Sequence, residues 1–160
     1  MVLNDQERIE LQRRTVAEHL RAEADHEYER VNATFVQHPR AYYEIVPGGA
    51  HFDGPEGVAG FYELLDKVLP DLNVTVTHEY DVPGCSIREL TATGTHSFEF
   101  AGVPASKNFV SFEVCALYIF DEEEPAKLLA ERAYWDNDSL IRQMNGEAVP
   151  GLGLVDNPRR

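Results

Sequence analysis

Basic residues are scarce in this 160-residue chain. Fourteen lysines and arginines stand against 28 aspartates and glutamates, a formal net charge of −14. A surface of that sign repels phosphate backbones and anionic lipid, so neither a nucleic acid nor a membrane surface is expected as a partner. Cysteine is scarcer still. Cys85 and Cys115 are the only 2, without CxxC spacing, which points to neither a disulfide framework nor a thiolate metal site. No apolar run reaches the roughly 18 residues of a membrane helix. The first residues, Met-Val-Leu-Asn-Asp-Gln-Glu-Arg, lack the basic and apolar regions of a signal peptide. A cytoplasmic setting is therefore expected, with the sequons at Asn32 and Asn73 read as chance matches. A P-loop, a nucleophile elbow and a dinucleotide glycine fingerprint are missing too, and Gly57-x-x-Gly60 falls inside a helical pattern.

What remains is enough for a core and a lined pocket: 43% of the residues are hydrophobic and 10% aromatic. The length fits a single domain. We expect one domain over residues 1–145 and a Gly- and Pro-rich tail over residues 146–160. Asn4 or Asp5 can cap a long first helix, whose apolar stripe runs Ile9, Val16, Leu20, Ala24, Tyr28, Val31 and Phe35. Pro39 stops it, and a short strand over 41–46 precedes Pro47-Gly48-Gly49. Pro55 opens a second helix whose apolar face is Val58, Phe61, Tyr62, Leu65 and Val68. Strand patterns then occupy 73–81, 86–100, 108–120 and 127–136, with a last helix over 139–144 capped by Asn137 or Asp138. Helices first and a meander afterwards is an α+β pattern with a strongly bent antiparallel sheet.

Strand parity sorts the polar candidates. Leu90, Ala92, Gly94, His96 and Phe98 share the more apolar face of their strand, so His96 is expected inside. In the last strand Leu128, Ala130, Arg132, Tyr134 and Asp136 share a face, and Asp136 on that face would enter a pocket beside His96 and Tyr134. An apolar pocket favours the neutral form of a carboxyl group and prepares it to exchange protons near neutrality. The competing reading of Asp136 is a cap for the final helix, and that of His96 a buried, hydrogen-bonded histidine. His19, Glu23 and His26 recur at i, i+4 and i+7 on one helical face. That spacing could hold a divalent metal, but the face borders the apolar stripe and reads as a groove lining, so no metal is expected. Glu44, flanked by Tyr42, Tyr43 and Pro47, reads as an edge-strand glutamate on the surface. The acidic run Asp121–Glu124 reads as a solvated hairpin tip.

Several fragments in order carry a resemblance. They are Tyr43-Glu44-Ile45-Val46-Pro47, Gly54-Pro55-Glu56-Gly57-Val58 leading into Phe61-Tyr62, Leu69-Pro70-Asp71-Leu72, and Gly94-Thr95-His96. Gly102-Val103-Pro104-Ala105-Ser106, Glu131-Arg132-Ala133-Tyr134-Trp135-Asp136 and Leu140-Ile141-Arg142-Gln143-Met144 follow. Together, from about His19 to Met144, they resemble the SnoaL-like polyketide cyclases of the nuclear-transport-factor-2-like superfamily. The resemblance implies a cone: a curved sheet wrapped by N-terminal helices around a deep pocket, in a homodimer. It also implies a cofactor-free enzyme performing aldol-type cyclisation or isomerisation on a hydrophobic carbonyl compound. Asp136 would be its acid/base, His96 and Tyr134 its helpers, and Phe61, Phe112, Tyr118 and Glu44 the substrate-binding residues. The other class of function open to the same cone is a non-catalytic ligand carrier or dimeric interaction module.

Overall fold

In the computed structural model, which describes residues 3–149, the chain begins with α1 (Asp5–Ala24). Asn4 starts it through a capping box. Its side chain accepts from the Glu7 backbone N–H, while the Glu7 carboxylate accepts from the Asn4 N–H. Two donors that a helix start leaves unpaired are thereby satisfied. The apolar stripe continues to Phe35, but the helix does not. It breaks after Ala24, and α2 (Tyr28–Asn32) follows as a separate short turn. The break is a Schellman turn: the Glu27 N–H reaches the Ala22 carbonyl and the His26 N–H reaches the Glu23 carbonyl. His26 takes the left-handed conformation, φ 56°, that glycine usually supplies at this position. A histidine there leaves no mark in the sequence, so the stripe reads as one helix.

β1 (Tyr42–Ile45) and the unforeseen β2 (Ala50–Asp53) form a hairpin that leads into α3 (Gly54–Val68). Gly54 is left-handed at φ 72°, and Pro55 occupies the first turn, where its missing N–H costs nothing. Gly57 lets the helix lie on the hairpin: a Cβ there would stand 2.7 Å from the Phe52 carbonyl carbon. The long strands follow as β3 (Asn73–Val82), β4 (Cys85–Thr95), β5 (Phe109–Phe120) and β6 (Leu128–Tyr134), and α4 (Asn137–Met144) closes the described chain. The six strands make one curved sheet in the order β2-β1-β6-β5-β4-β3. Every pairing is antiparallel except β1 with β6. The fold is α+β, with α1, α3 and α4 laid against the sheet. The expected tail begins at Gly146, and its residues 150–160 lie outside the described ones.

Parity holds along β4, where Ser86, Arg88, Leu90, Ala92 and Gly94 are buried in alternation. It fails in β6. The register slips between Ile119 and Phe120, so Tyr118 faces Glu131 while Phe120 faces Leu128, and Leu129 is left without a partner. One extra residue exchanges the two faces of a strand. Beyond it, Glu131 and Ala133 are buried, whereas Arg132 and Tyr134 are only half-buried on the other face. The expected inward set Arg132, Tyr134 and Asp136 is therefore the outward one.

The two glycines of α3 test the packing. Gly57→Ala, which must push on backbone, is expected to destabilise by about 1–3 kcal/mol. At Gly60 a Cβ meets nothing within 4 Å, and Gly60→Ala is expected to be neutral or to stabilise by up to about 1 kcal/mol. Urea melts giving the two variants equal stability would contradict this packing.

Candidate active site

A cavity opens between the concave face of the sheet, α3 and α4. Its volume is about 80 Å³, so the space is a narrow slot. Its lining is almost wholly apolar, including Phe61, Leu65, Leu90, Phe112, Trp135 and Met144. Two carboxylates interrupt it: Glu23 from α1 and Glu131 from β6, with Tyr43 from β1.

Behind Glu131 stands a buried polar cluster. The Tyr62 hydroxyl donates to Glu131 Oε2 at 2.7 Å, and His19 Nε2 lies 3.2 Å from the same oxygen. His19 Nδ1 is 2.9 Å from the Thr34 hydroxyl, which itself donates to the Val31 carbonyl at 2.6 Å. With its proton committed there, the Thr34 oxygen can only accept, so Nδ1 carries a hydrogen. In a neutral ring the Nε2 lone pair can accept from the Tyr62 hydroxyl, 3.0 Å away, while it faces Glu131 Oε2. A protonated ring donates to it instead. Burial alone would lower the His19 pKa, but the hydrogen bond to Glu131 and the charges of Glu131 and Glu23 outweigh burial and raise it. The contact with Glu131 thus favours the protonated ring, whose Nε2–H donates to Glu131 Oε2. The Tyr43, Tyr62 and Tyr118 hydroxyls are pushed well above their ordinary value, by burial first and by the two glutamates second.

Glu23 differs from Glu131. Its carboxyl makes no side-chain hydrogen bond among the described residues, and it faces the slot. Burial, then the charge of Glu131, push its pKa up to about 7, against the smaller opposing pull of His19. Near neutrality it is a proton donor and acceptor in comparable measure.

The residues singled out in the sequence are scattered. Phe61 and Phe112 line the slot. Tyr118 is fully buried one layer behind, its ring edge-on to His19 at 5.3 Å, and its hydroxyl has no partner. His96 is buried as the parity of β4 requires, but it does not line the slot. Its Nδ1 meets the Ser106 hydroxyl at 3.0 Å, where β4 turns into the 96–108 loop. Asp136 is exposed and accepts from the Ser139 N–H at 3.1 Å, as the N-cap of α4. The bulge at Leu129 has turned it out of the slot, and the unpaired amides at the start of α4 fix it there. Tyr134 shares that outer side. Glu44 pairs with Arg132 at 2.8 Å on the face of β1 away from the slot. His19 and Glu23 turn inward, whereas His26 lies past the Schellman turn against Tyr28. Among the described residues no group of three or more His, Cys, Asp and Glu is arranged to hold a metal ion. Sequence reasoning missed Glu131 and Tyr62. The available signals were Glu131 alternating with Ala133 and Trp135, and the i, i+4 pair His19 and Glu23 inside an apolar stripe.

A family model described as SnoaL-like polyketide cyclase matches residues 35–144. No curated protein sequence matches the chain. Among solved structures, a candidate SnoaL-like polyketide cyclase from Jannaschia sp. CCS1 superposes with a TM-score of 0.77 at 17% identity, covering 93% of this chain and 100% of its own. A protein of ketosteroid isomerase-like fold from Catenulispora acidiphila, solved with trimethylamine, gives 0.65 at 19% identity over 85% and 97% of the two chains. An LEH-like epoxide hydrolase from M. tuberculosis gives 0.64 at 18% identity over 89% and 92%. These likenesses extend to the fold. No helix of the described residues is long and apolar enough to cross a membrane.

The raised Glu23 pKa has a sign that can be checked. An unfolded glutamate releases its proton near pH 4.5, the folded one near 7, so between these values the native state binds more protons and stability falls as pH rises. Glu23→Gln removes that penalty. It is expected to leave stability unchanged at pH 4 and to raise it at pH 8, by about 1–3 kcal/mol. Thermal melts that shift equally at both pH values would contradict a buried, proton-retaining Glu23.

Proposed function

We propose, from the premise that this chain belongs to the SnoaL-like polyketide cyclase family, that it is a small enzyme moving protons on an apolar carbonyl compound held in the slot. The observation that carries this reading is Glu131: a carboxylate in an apolar lining, gripped from behind by Tyr62 and His19, with a second carboxyl, Glu23 of α1, lining the same slot.

The chemistry follows from that arrangement. A carbon next to a carbonyl releases its proton to Glu131 as the C–H bond breaks, and the electron pair delocalises onto the carbonyl oxygen as an enolate. Glu23, in its protonated form, gives a proton to the developing oxyanion or to the alkoxide left when the enolate carbon closes on a second carbonyl. Tyr62 and His19 are positioning residues. They fix one Glu131 oxygen and leave the other free for the substrate. The apolar lining excludes water, which strengthens every charge interaction inside. The epoxide hydrolase among the similar structures is a reminder that this fold hosts several reactions, and the choice here rests on the residues of the site.

The test is exchange of α-hydrogens for deuterium in a panel of apolar aryl and alicyclic ketones, followed by NMR in D₂O. Catalysed exchange is expected in the wild-type protein. It should fall by about 10²–10⁴ in Glu131→Gln, the range of one acid/base group, and stay within about threefold of wild type in Asp136→Asn, whose side chain is a cap. The rate should decline above about pH 7 as Glu23 loses its proton. Exchange that survives in Glu131→Gln and collapses in Asp136→Asn would transfer the role to Asp136. Ligand binding without exchange in any variant would make the protein a carrier.

A further inference from the structure

Three carboxylate oxygens of the slot have nothing to bind. Glu131 is 5% exposed and engages only Oε2, with Tyr62 and His19, so its Oε1 has no partner among the described residues. Glu23 is 9% exposed, and neither of its oxygens has one. None of the three is sealed inside the protein as the Tyr118 hydroxyl is. Both residues line the slot. A carboxylate nine-tenths removed from water is costly unless a charge or a donor meets it.

The charges do not balance. The protonated His19 ring stands against two carboxylates, one turn from Glu23 on α1 and 3.2 Å from Glu131 on β6. No lysine or arginine side chain lines the slot. The tyrosines near enough to feel the charge of Glu23 are Tyr28 of α2, Tyr43 of β1, Tyr62 of α3 and Tyr118 of β5. Burial raises the pKa of each, so all four stay neutral. With both carboxylates ionised, one negative charge is left over. Below about pH 7 a proton on Glu23 fills that place. Above it the place is open to another cation, and the surroundings decide which kind. A metal ion needs several oxygen ligands, and no three His, Cys, Asp or Glu of the described residues converge on one. The rest of the lining is hydrocarbon and aromatic, with Phe61, Phe112 and Trp135. Such a lining suits an alkylammonium group.

We propose that the slot is also a binding site for a small lipophilic amine in its protonated form. The ammonium N–H groups donate to Glu131 Oε1 and to the Glu23 carboxylate, and the alkyl body lies against the apolar lining. The volume of about 80 Å³ restricts the amine to a compact one. The ammonium takes the place of the Glu23 proton, so at acid pH binding expels that proton to solvent. A bound amine covers Glu131 and thereby excludes the carbonyl compound. The site shares its two carboxylates with the acid/base reading but needs no turnover to be tested.

The probes are tert-butylamine, a cation throughout pH 5–8 like any alkylamine, and tert-butanol, a neutral molecule of the same shape. Binding to the full chain is followed by calorimetry. At pH 8 the ammonium is expected to bind at least about tenfold more tightly than the alcohol, the worth of one charge-assisted hydrogen bond. Its affinity should fall by about 30- to 100-fold from pH 8 to pH 5 as Glu23 takes up its proton, while that of the alcohol holds. Heats measured in two buffers of unlike ionisation enthalpy should count nearly one proton released at pH 6 and almost none at pH 8. In Glu23→Gln, ammonium binding at pH 8 should weaken by at least about tenfold and lose its pH dependence, with alcohol affinity kept. Attraction to the acidic surface at large is screened by salt, so the preference for the ammonium should persist in about 0.5 M NaCl. Equal affinities for the two probes, a preference lost in that salt, or ammonium binding unchanged in Glu23→Gln would each overturn the assignment. If Glu23→Gln does not fold, the wild-type pH profile and proton count decide alone. Ammonium binding without catalysed exchange of any ketone would keep the amine site and discard the enzyme. Exchange that saturating tert-butylamine leaves untouched would keep the enzyme and discard the amine site.

Discussion

One buried contact organises the polar end of the slot: His19 Nε2 against Glu131 Oε2, 3.2 Å apart and out of reach of bulk water. It ties α1 to β6, and through the Tyr62 hydroxyl it ties both to α3. Three elements distant in sequence are thus fixed around one carboxylate oxygen. Such a contact is a poor way to gain stability, since removing two charges from water costs several kcal/mol per ion and a hydrophobic replacement often does as well. A second carboxyl, Glu23, is left beside it without a partner, which makes the arrangement worse as a structural device. A fold selected only for rigidity has no use for it. Under the proposed function the cluster is a store of protons facing an apolar ligand.

The same contact explains why the N-terminal helix has to break. Thr34, which fixes the His19 tautomer, lies 15 residues further on. A continuous helix from Asn4 to Phe35 would carry Thr34 more than 20 Å along the axis from His19, at 1.5 Å per residue. The Schellman turn at His26 folds α2 back so that Thr34 and Phe35 reach the His19 ring. The left-handed backbone of a non-glycine residue is tolerated because the contacts it permits are made in the buried interior.

How far the sequence shows all this depends on the signal each feature leaves. The helix starts at Asn4 and Pro55, the four long strands and the burial of His96 are legible, because capping and turn chemistry and strand alternation are local. The α+β class follows from their order. The family resemblance rests on fragments such as Gly54-Pro55-Glu56-Gly57, where Gly57 is held by its 2.7 Å approach to Phe52. β2 escapes because four residues after Pro47-Gly48-Gly49 carry too little pattern. Which carboxylate enters the slot is hidden for a different reason. Asp136 and Glu131 lie in one short fragment, and only the bulge at Leu129, a property of the pairing with β5, decides which of them faces inward. A one-residue slip in register carries no mark in the sequence of β6 itself.

That bulge also gives Asp136 a purpose that explains its place beside the site. Turned outward, it caps α4, and α4 supplies Leu140 and Met144 to the wall of the slot. Gln143 then fastens the helix to β5, accepting from the Ser111 N–H at 2.8 Å and donating to the Ser111 carbonyl at 2.9 Å. Asn108 holds the helix end by donating to the Met144 carbonyl. The stretch from Glu131 to Met144 therefore supplies, along one continuous piece of backbone, a slot carboxylate, apolar wall residues, a helix cap and the helix that forms part of that wall. Each depends on the bulge for its face. Inserting or deleting one residue in β6 would exchange the carboxylate for Arg132 and the indole for Tyr134. The slot would then face an arginine and a tyrosine, and would lose the carboxylate that the proposed proton transfer uses.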